Sequence, residues 1–187
     1  GGNMSTILLG VTGSIAAYKA CELTRLFVKS GHAVHVLMTD AATRFVSPLT
    51  FRTLSRNPVS AGLFDAPDEW VPGHISLAER ADVLVVAPCT ANVIAKLAHG
   101  LADDILTSTA LASRAPLVIA PAMNTGMWDH PATRANISLL GARGATFVDA
   151  GTGDLACGTS GKGRMAEPQT VYDAVLRRLA ECGTVNS

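Results

Sequence analysis

The side chains of this sequence that could do chemistry fall in short stretches at the ends of predicted strands. The first is Thr12-Gly13-Ser14-Ile15, where a glycine and a serine lead from an apolar run into a predicted helix. Unpaired N–H groups and the positive end of the helix dipole favour an anion there, with the serine hydroxyl as a further donor. A serine-capped β–α turn explains the same residues without a ligand. Thr39-Asp40 follows a second run, and Pro88-Cys89-Thr90-Ala91-Asn92 repeats the pattern with Thr90 and Asn92 at a helix start. Two such starts facing one crevice suit the phosphate of a mononucleotide or of a flavin ribityl chain. No GxGxxG is present, since Ala16 and Tyr18 stand where glycines would be needed, and no GxxxxGK[ST] occurs.

Residues 121–128 (PAMNTGMW) place the amide of Asn124 among methionines and a tryptophan in a predicted loop, which suits a flat, apolar, oriented ligand. His74 opens the predicted helix 74–80, where the dipole favours neutral imidazole, a base or hydrogen-bond partner. A surface capping histidine is the plainer alternative. Cys157, in Ala156-Cys157-Gly158, has Lys162 and Arg164 nearby in sequence. Cations lower a thiol pKa and ready it for proton transfer, and the cationic pair would also hold a phosphate or carboxylate.

The elements that must position these residues alternate along the chain. Residues 6–12, 33–39, 82–88, 116–120 and 145–148 are strand candidates, several of them unbroken apolar runs of the kind buried on both faces of a parallel sheet. Helices are predicted over 14–30, 74–80, 92–98, 104–113, 131–140 and 171–182. Right-handed crossovers between them give an α/β fold, a single-domain doubly wound parallel sheet in a Rossmann-like or flavodoxin-like three-layer sandwich. Residues 56–73, with Pro58, Pro67 and Pro72, read as an irregular excursion, and the glycine-rich 150–164 as a binding loop or lid. Gly1-Gly2-Asn3 reads as a cloning remnant (1–3), and 4–187 as one domain.

Composition narrows the function classes. Of 187 residues, 48% are hydrophobic and 16% charged, which excludes a disordered chain. Lys+Arg and Asp+Glu are each 15, so neither nucleic acid nor an anionic membrane is an expected partner. The apolar runs are too short to span a bilayer, and a cytoplasmic location is expected. Cys21, Cys89, Cys157 and Cys182 are scattered, so free thiols are expected and no metal-ligand spacing appears.

Taken in order, Gly13-Ser14-Ile15, His74-Ile75-Ser76-Leu77, Pro88-Cys89-Thr90-Ala91-Asn92, residues 121–128 and Ala156-Cys157-Gly158 resemble the homo-oligomeric flavin-containing cysteine decarboxylases. The resemblance covers about residues 7–168, and its PxMNxxMW motif is specific to that family. It implies non-covalent FMN held by Gly13, Ser14, Ile15, Thr39, Thr90, Ala91, Asn92, Val93 and Ala122, with catalytic His74 beside the flavin and Cys157 as proton donor. Asn124 would hold the substrate carboxylate or amide, Met127 would pack nearby, and the glycine loop with Ala156, Gly158, Lys162 and Arg164 would recognise the substrate.

The implied reaction is oxidative decarboxylation of the cysteine moiety of 4'-phosphopantothenoylcysteine to 4'-phosphopantetheine, a step of coenzyme A biosynthesis. The implied assembly is a homotrimer or dodecamer, with residues 43–54 reaching a neighbour's flavin. The family's PASANT-like stretch reads PCTANV here, so Cys89 and Val93 replace a small residue and a threonine. Thr90 keeps a hydroxyl, and FMN binding is expected to survive. Three rivals are a peptidyl-cysteine decarboxylase giving a C-terminal ene-thiol, a flavin prenyltransferase-like protein, and a flavin-binding regulatory subunit without catalysis. Cys157 favours the full reaction over the first, the PxMNxxMW motif is unexpected in the second, and His74 with Cys157 argues against the third.

Overall fold

The computed structural model describes residues 4–62, 73–149 and 162–183; of the side chains at 73–75 and 183 nothing is described. The chain opens with β1 (Thr6–Val11), α1 (Ala17–Lys29), β2 (Ala33–Met38), α2 (Asp40–Thr43), α3 (Pro48–Ser55) and β3 (Val59–Ser60). It continues with α4 (Gly73–Arg80), β4 (Val83–Cys89), α5 (Ala91–His99), α6 (Ile105–Ala112) and β5 (Leu117–Pro121). α7 (Thr125–Asp129), α8 (Pro131–Ala142), β6 (Thr146–Phe147) and α9 (Pro168–Gly183) complete the described residues. The expected doubly wound parallel sheet is present, and its strand order, which the sequence left open, is β3-β2-β1-β4-β5-β6.

Strand periodicity divides the core in two. Ile7, Leu9, Val11, Val83 and Val85 turn to one face and pack with Leu23 and Phe27 of α1, Phe51 of α3 and Val171 of α9. Leu8, Leu84 and Val86 turn to the other and pack with Ile94 of α5, Leu106 of α6 and Leu140 of α8. β4 is buried along its whole length because helices cover both its faces. Each such buried Val or Leu contributes about 1.5–3 kcal/mol of transfer free energy.

This layering puts the crossover helices leaving β1 and β4 on opposite faces. Between those neighbouring strands the winding reverses, and the carboxyl ends there leave a crevice, the usual ligand position in such sheets. Within residues 56–73, expected to be irregular, the two residues of β3 pair with Val36 and Leu37 at the sheet edge. Residues 43–54 fold largely as α3, with Ser47 capping and Pro48 in the first turn. Phe51 enters the core, while Phe45 and Leu49 are exposed. No helix among the described residues is long and apolar enough to cross a membrane.

Candidate active site

The crevice is held shut at its base by Thr12, a fully buried residue just past β1. Its hydroxyl donates to the Pro88 carbonyl at 2.7 Å and accepts from the Thr90 N–H at 3.0 Å, while its own N–H donates to Pro88 at 3.3 Å. One side chain therefore ties the tips of β1 and β4, 76 residues apart in the chain. On either side, Thr39 N–H donates to the Val11 carbonyl and Ala122 N–H to the Cys89 carbonyl. Thr39, Gly13–Ile15, Thr90–Asn92 and Ala122–Asn124 thus follow one another along a single edge of the sheet.

The turn after β1 differs from the expected serine-capped helix start. α1 begins at Ala17, and its capping residue Ala16 makes no side-chain cap. Ser14 Oγ instead accepts from the Ala16 N–H at 3.1 Å, closing a turn ahead of the helix. A Cβ on Gly13 would lie 2.5 Å from the Ala41 Cβ, so only glycine lets α2 pack this close.

Across the crevice Thr90 caps α5 as expected, accepting from the Val93 N–H at 3.3 Å. Thr39 is a buried cap of α2, accepting from Ala42. Val93, expected to touch the cofactor, is buried in the α5-side core with its N–H already bonded. Cys89 is fully buried as well, and burial pushes its thiol far above the ordinary range, so it stays neutral.

These bonds leave specific donors over. The N–H groups of Gly13, Ile15, Ala91 and Asn92 have no hydrogen-bond partner among the described residues. The hydroxyls of Ser14, in its turn bond, and of Thr90, in its capping bond, act as acceptors and keep their protons for a ligand. Unpartnered main-chain donors at the tips of two neighbouring strands are the chemistry of a phosphate cradle. Ile15, Phe45, Leu49 and Met127 stay exposed on the same edge or just beyond it. The residues present therefore fit a cofactor with a phosphate at one end and an apolar ring system at the other.

Residues 121–128 were expected to be a loop, but the structure forms α7 within them. Asn124 caps it, its Oδ1 accepting from the Met127 N–H at 2.8 Å. The cap commits the amide oxygen, so exposed Asn124 offers a ligand its Nδ2 donors. Ala122 is buried at the β5 tip, Met127 is half-exposed, and Arg134 lies over the Trp128 ring at 5.8 Å.

Lys162 and Arg164 are both exposed, and the Lys162 carbonyl accepts from Thr125 Oγ1. His74 lies in the first turn of α4, which runs into β4 and so begins on the carboxyl side of the sheet; its side chain is outside the description. Ala156, Cys157 and Gly158 lie outside the described residues.

Sequence reasoning gave Thr12 no role. Its position at a strand end was visible, but its function depends on the adjacency of β1 and β4. Thr12→Val should strand the Thr90 N–H and cost about 1–3 kcal/mol of stability, with weaker cofactor retention, whereas Thr12→Ser should keep both. Urea unfolding and the absorbance of bound cofactor would check this.

A doubly wound sheet with a donor-lined crevice at its winding reversal defines a protein that binds a nucleotide-like cofactor. The sequence matches the Flavoprotein family over residues 2–180, and the chain belongs to that family. It is 51% identical over 179 residues to the coenzyme A biosynthesis bifunctional protein CoaBC of Bacillus subtilis (strain 168), covering 96% of this chain and 44% of the relative. It is 46% identical over 175 residues to a probable phosphopantothenoylcysteine decarboxylase of Streptococcus mutans, covering 92% of this chain and 98% of that protein. The chain spans less than half the length of the bifunctional relatives.

Among solved structures, the FMN-dependent cysteine decarboxylase SpaF superposes with a TM-score of 0.81 at 31% identity, covering 94% of this chain and 97% of that one. A Cys→Ser variant of PPC decarboxylase complexed with pantothenoylaminoethenethiol gives 0.79 at 34% identity, covering 94% and 98%.

Proposed function

We propose that the chain catalyses the FMN-dependent decarboxylation of the cysteine moiety of 4'-phosphopantothenoylcysteine to 4'-phosphopantetheine, in the cytoplasm. The observation that carries the cofactor assignment is the set of unpartnered N–H groups on Gly13, Ile15, Ala91 and Asn92, which suits a flavin phosphate. Likeness to the Streptococcus mutans decarboxylase over nearly its whole length supports the substrate.

A cysteine carboxylate has no electron sink and cannot leave as CO₂. FMN, when bound, supplies the sink by accepting two electrons from the substrate thiol and returning them after CO₂ has left, so the overall reaction is redox-neutral. The chain's residues do the rest. Gly13, Ser14, Ile15, Thr39, Thr90, Ala91, Asn92 and Ala122 hold the cofactor at the strand tips. Asn124 Nδ2 donates to the departing carboxylate, and Met127 packs against the substrate beside it. His74 acts as base or hydrogen-bond partner at the substrate thiol, with the thiol oxidised to a C=S group. That group takes the electron pair of the broken C–C bond, giving an ene-thiolate. Cys157 protonates its carbon, and Lys162 and Arg164 attract the substrate phosphate.

We extend the reading to a homotrimer or dodecamer. Exposed Ile15, Tyr18, Phe45 and Leu49 supply apolar surface for subunit contacts. The test has two parts. Purified protein loaded with FMN should be yellow with flavin bands, and incubation with 4'-phosphopantothenoylcysteine should yield CO₂ and the saturated thiol. Protein that neither carries nor takes up FMN would overturn the assignment. Turnover of a Cys-ending peptide alone would shift it to the peptidyl reaction.

A further inference from the structure

The segment beginning at residue 162 is fastened to the Asn124 turn by its main chain. Met123 N–H donates to the Gly163 carbonyl at 2.7 Å, and Thr125 Oγ1 to the Lys162 carbonyl at 3.3 Å. These bonds fall on the residues immediately before and after Asn124. Gly163 has φ +87°, and a Cβ there would stand 2.3 Å from the Met123 carbonyl oxygen and 3.3 Å from that of Asn124. The approach is open only to glycine, on both counts.

Further along, Met165 pairs with Asp149, and its carbonyl accepts from Lys19 Nζ at 3.1 Å. The same ammonium, on a side chain only 15% exposed, also pairs with Glu167 at 2.9 Å. Lys19 belongs to α1, the helix that follows the Gly13–Ile15 turn. One strap, residues 162–167, therefore links the first turn of α1, the helix that follows Gly13–Ile15, to the turn that carries Asn124.

We infer that Gly163 and Lys19 are positioning residues: through the strap they fix where Asn124 Nδ2 stands relative to the cofactor turn. The inference rests on the reading of Asn124 as the donor to the substrate carboxylate. The two turns sit on different strands, β1 and β5, with β4 between them. The sheet alone sets the strand ends but not a capping amide three residues beyond one of them. A binding group displaced by a fraction of an ångström loses ground-state affinity before the cofactor is disturbed.

The test uses the FMN-loaded protein in a Trp70→Phe background, leaving Trp128 of α7 as the single tryptophan. Gly163→Ala should shift Trp128 emission, raise KM for 4'-phosphopantothenoylcysteine by about tenfold, and keep kcat within about threefold with flavin content unchanged. Thr125→Val, an exposed change that folds readily, should raise KM by about two- to threefold. Lys19→Met should behave like a weaker Gly163→Ala, and Lys19→Arg, which keeps a charged donor for the Met165 carbonyl and Glu167, should recover most of the KM. Unchanged emission and KM in Gly163→Ala and Thr125→Val would overturn the proposal. So would a KM rise matched by equal loss of flavin, which marks a general packing defect. If the Trp70→Phe protein itself fails to turn over the substrate, the functional reading falls; the emission shifts still decide whether the strap positions α7.

Discussion

Cys157→Ser is expected to release CO₂ at a rate within about tenfold of the unaltered protein while yielding a product lighter by two hydrogen atoms. On the proposed mechanism, loss of CO₂ uses the electron sink and the amide of Asn124, neither of which involves the Cys157 thiol. Finishing the reaction needs a proton delivered to carbon, which a thiol provides near neutral pH and a serine hydroxyl does not. The substitution should therefore separate the two halves, leaving an ene-thiol and sending the withheld electrons to dissolved oxygen. Mass spectrometry of the product with and without air would check it. A saturated product at normal yield would remove Cys157 from the mechanism.

The second large effect is expected at His74. His74→Asn should lower CO₂ release by at least about 100-fold, the lower end of what a positioned acid or base contributes. Flavin content should be unchanged, because the cradle at the β1 and β4 tips consists of main-chain N–H groups and Ser and Thr hydroxyls, none of them near α4 in sequence. Asparagine keeps polarity and approximate size but cannot titrate. Comparing labelled CO₂ release with the flavin-to-protein ratio separates a chemical role from a binding one. Turnover within tenfold of normal would show that the imidazole is not the base.

The five expected strands are all present; β1 and β4 were the plainest, because strands covered on both faces leave an unbroken apolar signal in sequence, whereas β6 is a two-residue edge strand. β3 was missed because two residues after Pro58 have no periodicity to read. α3 was missed although Ser47-Pro48 is a helix-start signal, since its alternation of Phe51 inward and Leu49 outward looked like uniform apolar surface. α7 is too short for a helical period, and its capping asparagine was read only as a donor to a ligand. Strand order and the Thr12 bridge were illegible for one shared reason. Both depend on β1 lying beside β4, a pairing across 76 residues that no local pattern encodes. The chemistry-bearing residues were easier to find than the contacts that hold them, because reactive side chains stand out by type and carbonyl acceptors do not.

The leftover amides on Gly13, Ile15, Ala91 and Asn92 have an evolutionary consequence. Every amino acid except proline brings the same N–H, so natural drift can exchange the letters at 15, 91 or 92 while the cofactor continues to be recognised. Descendants of one ancestor can then diverge elsewhere in the crevice while all of them inherit the same pigment.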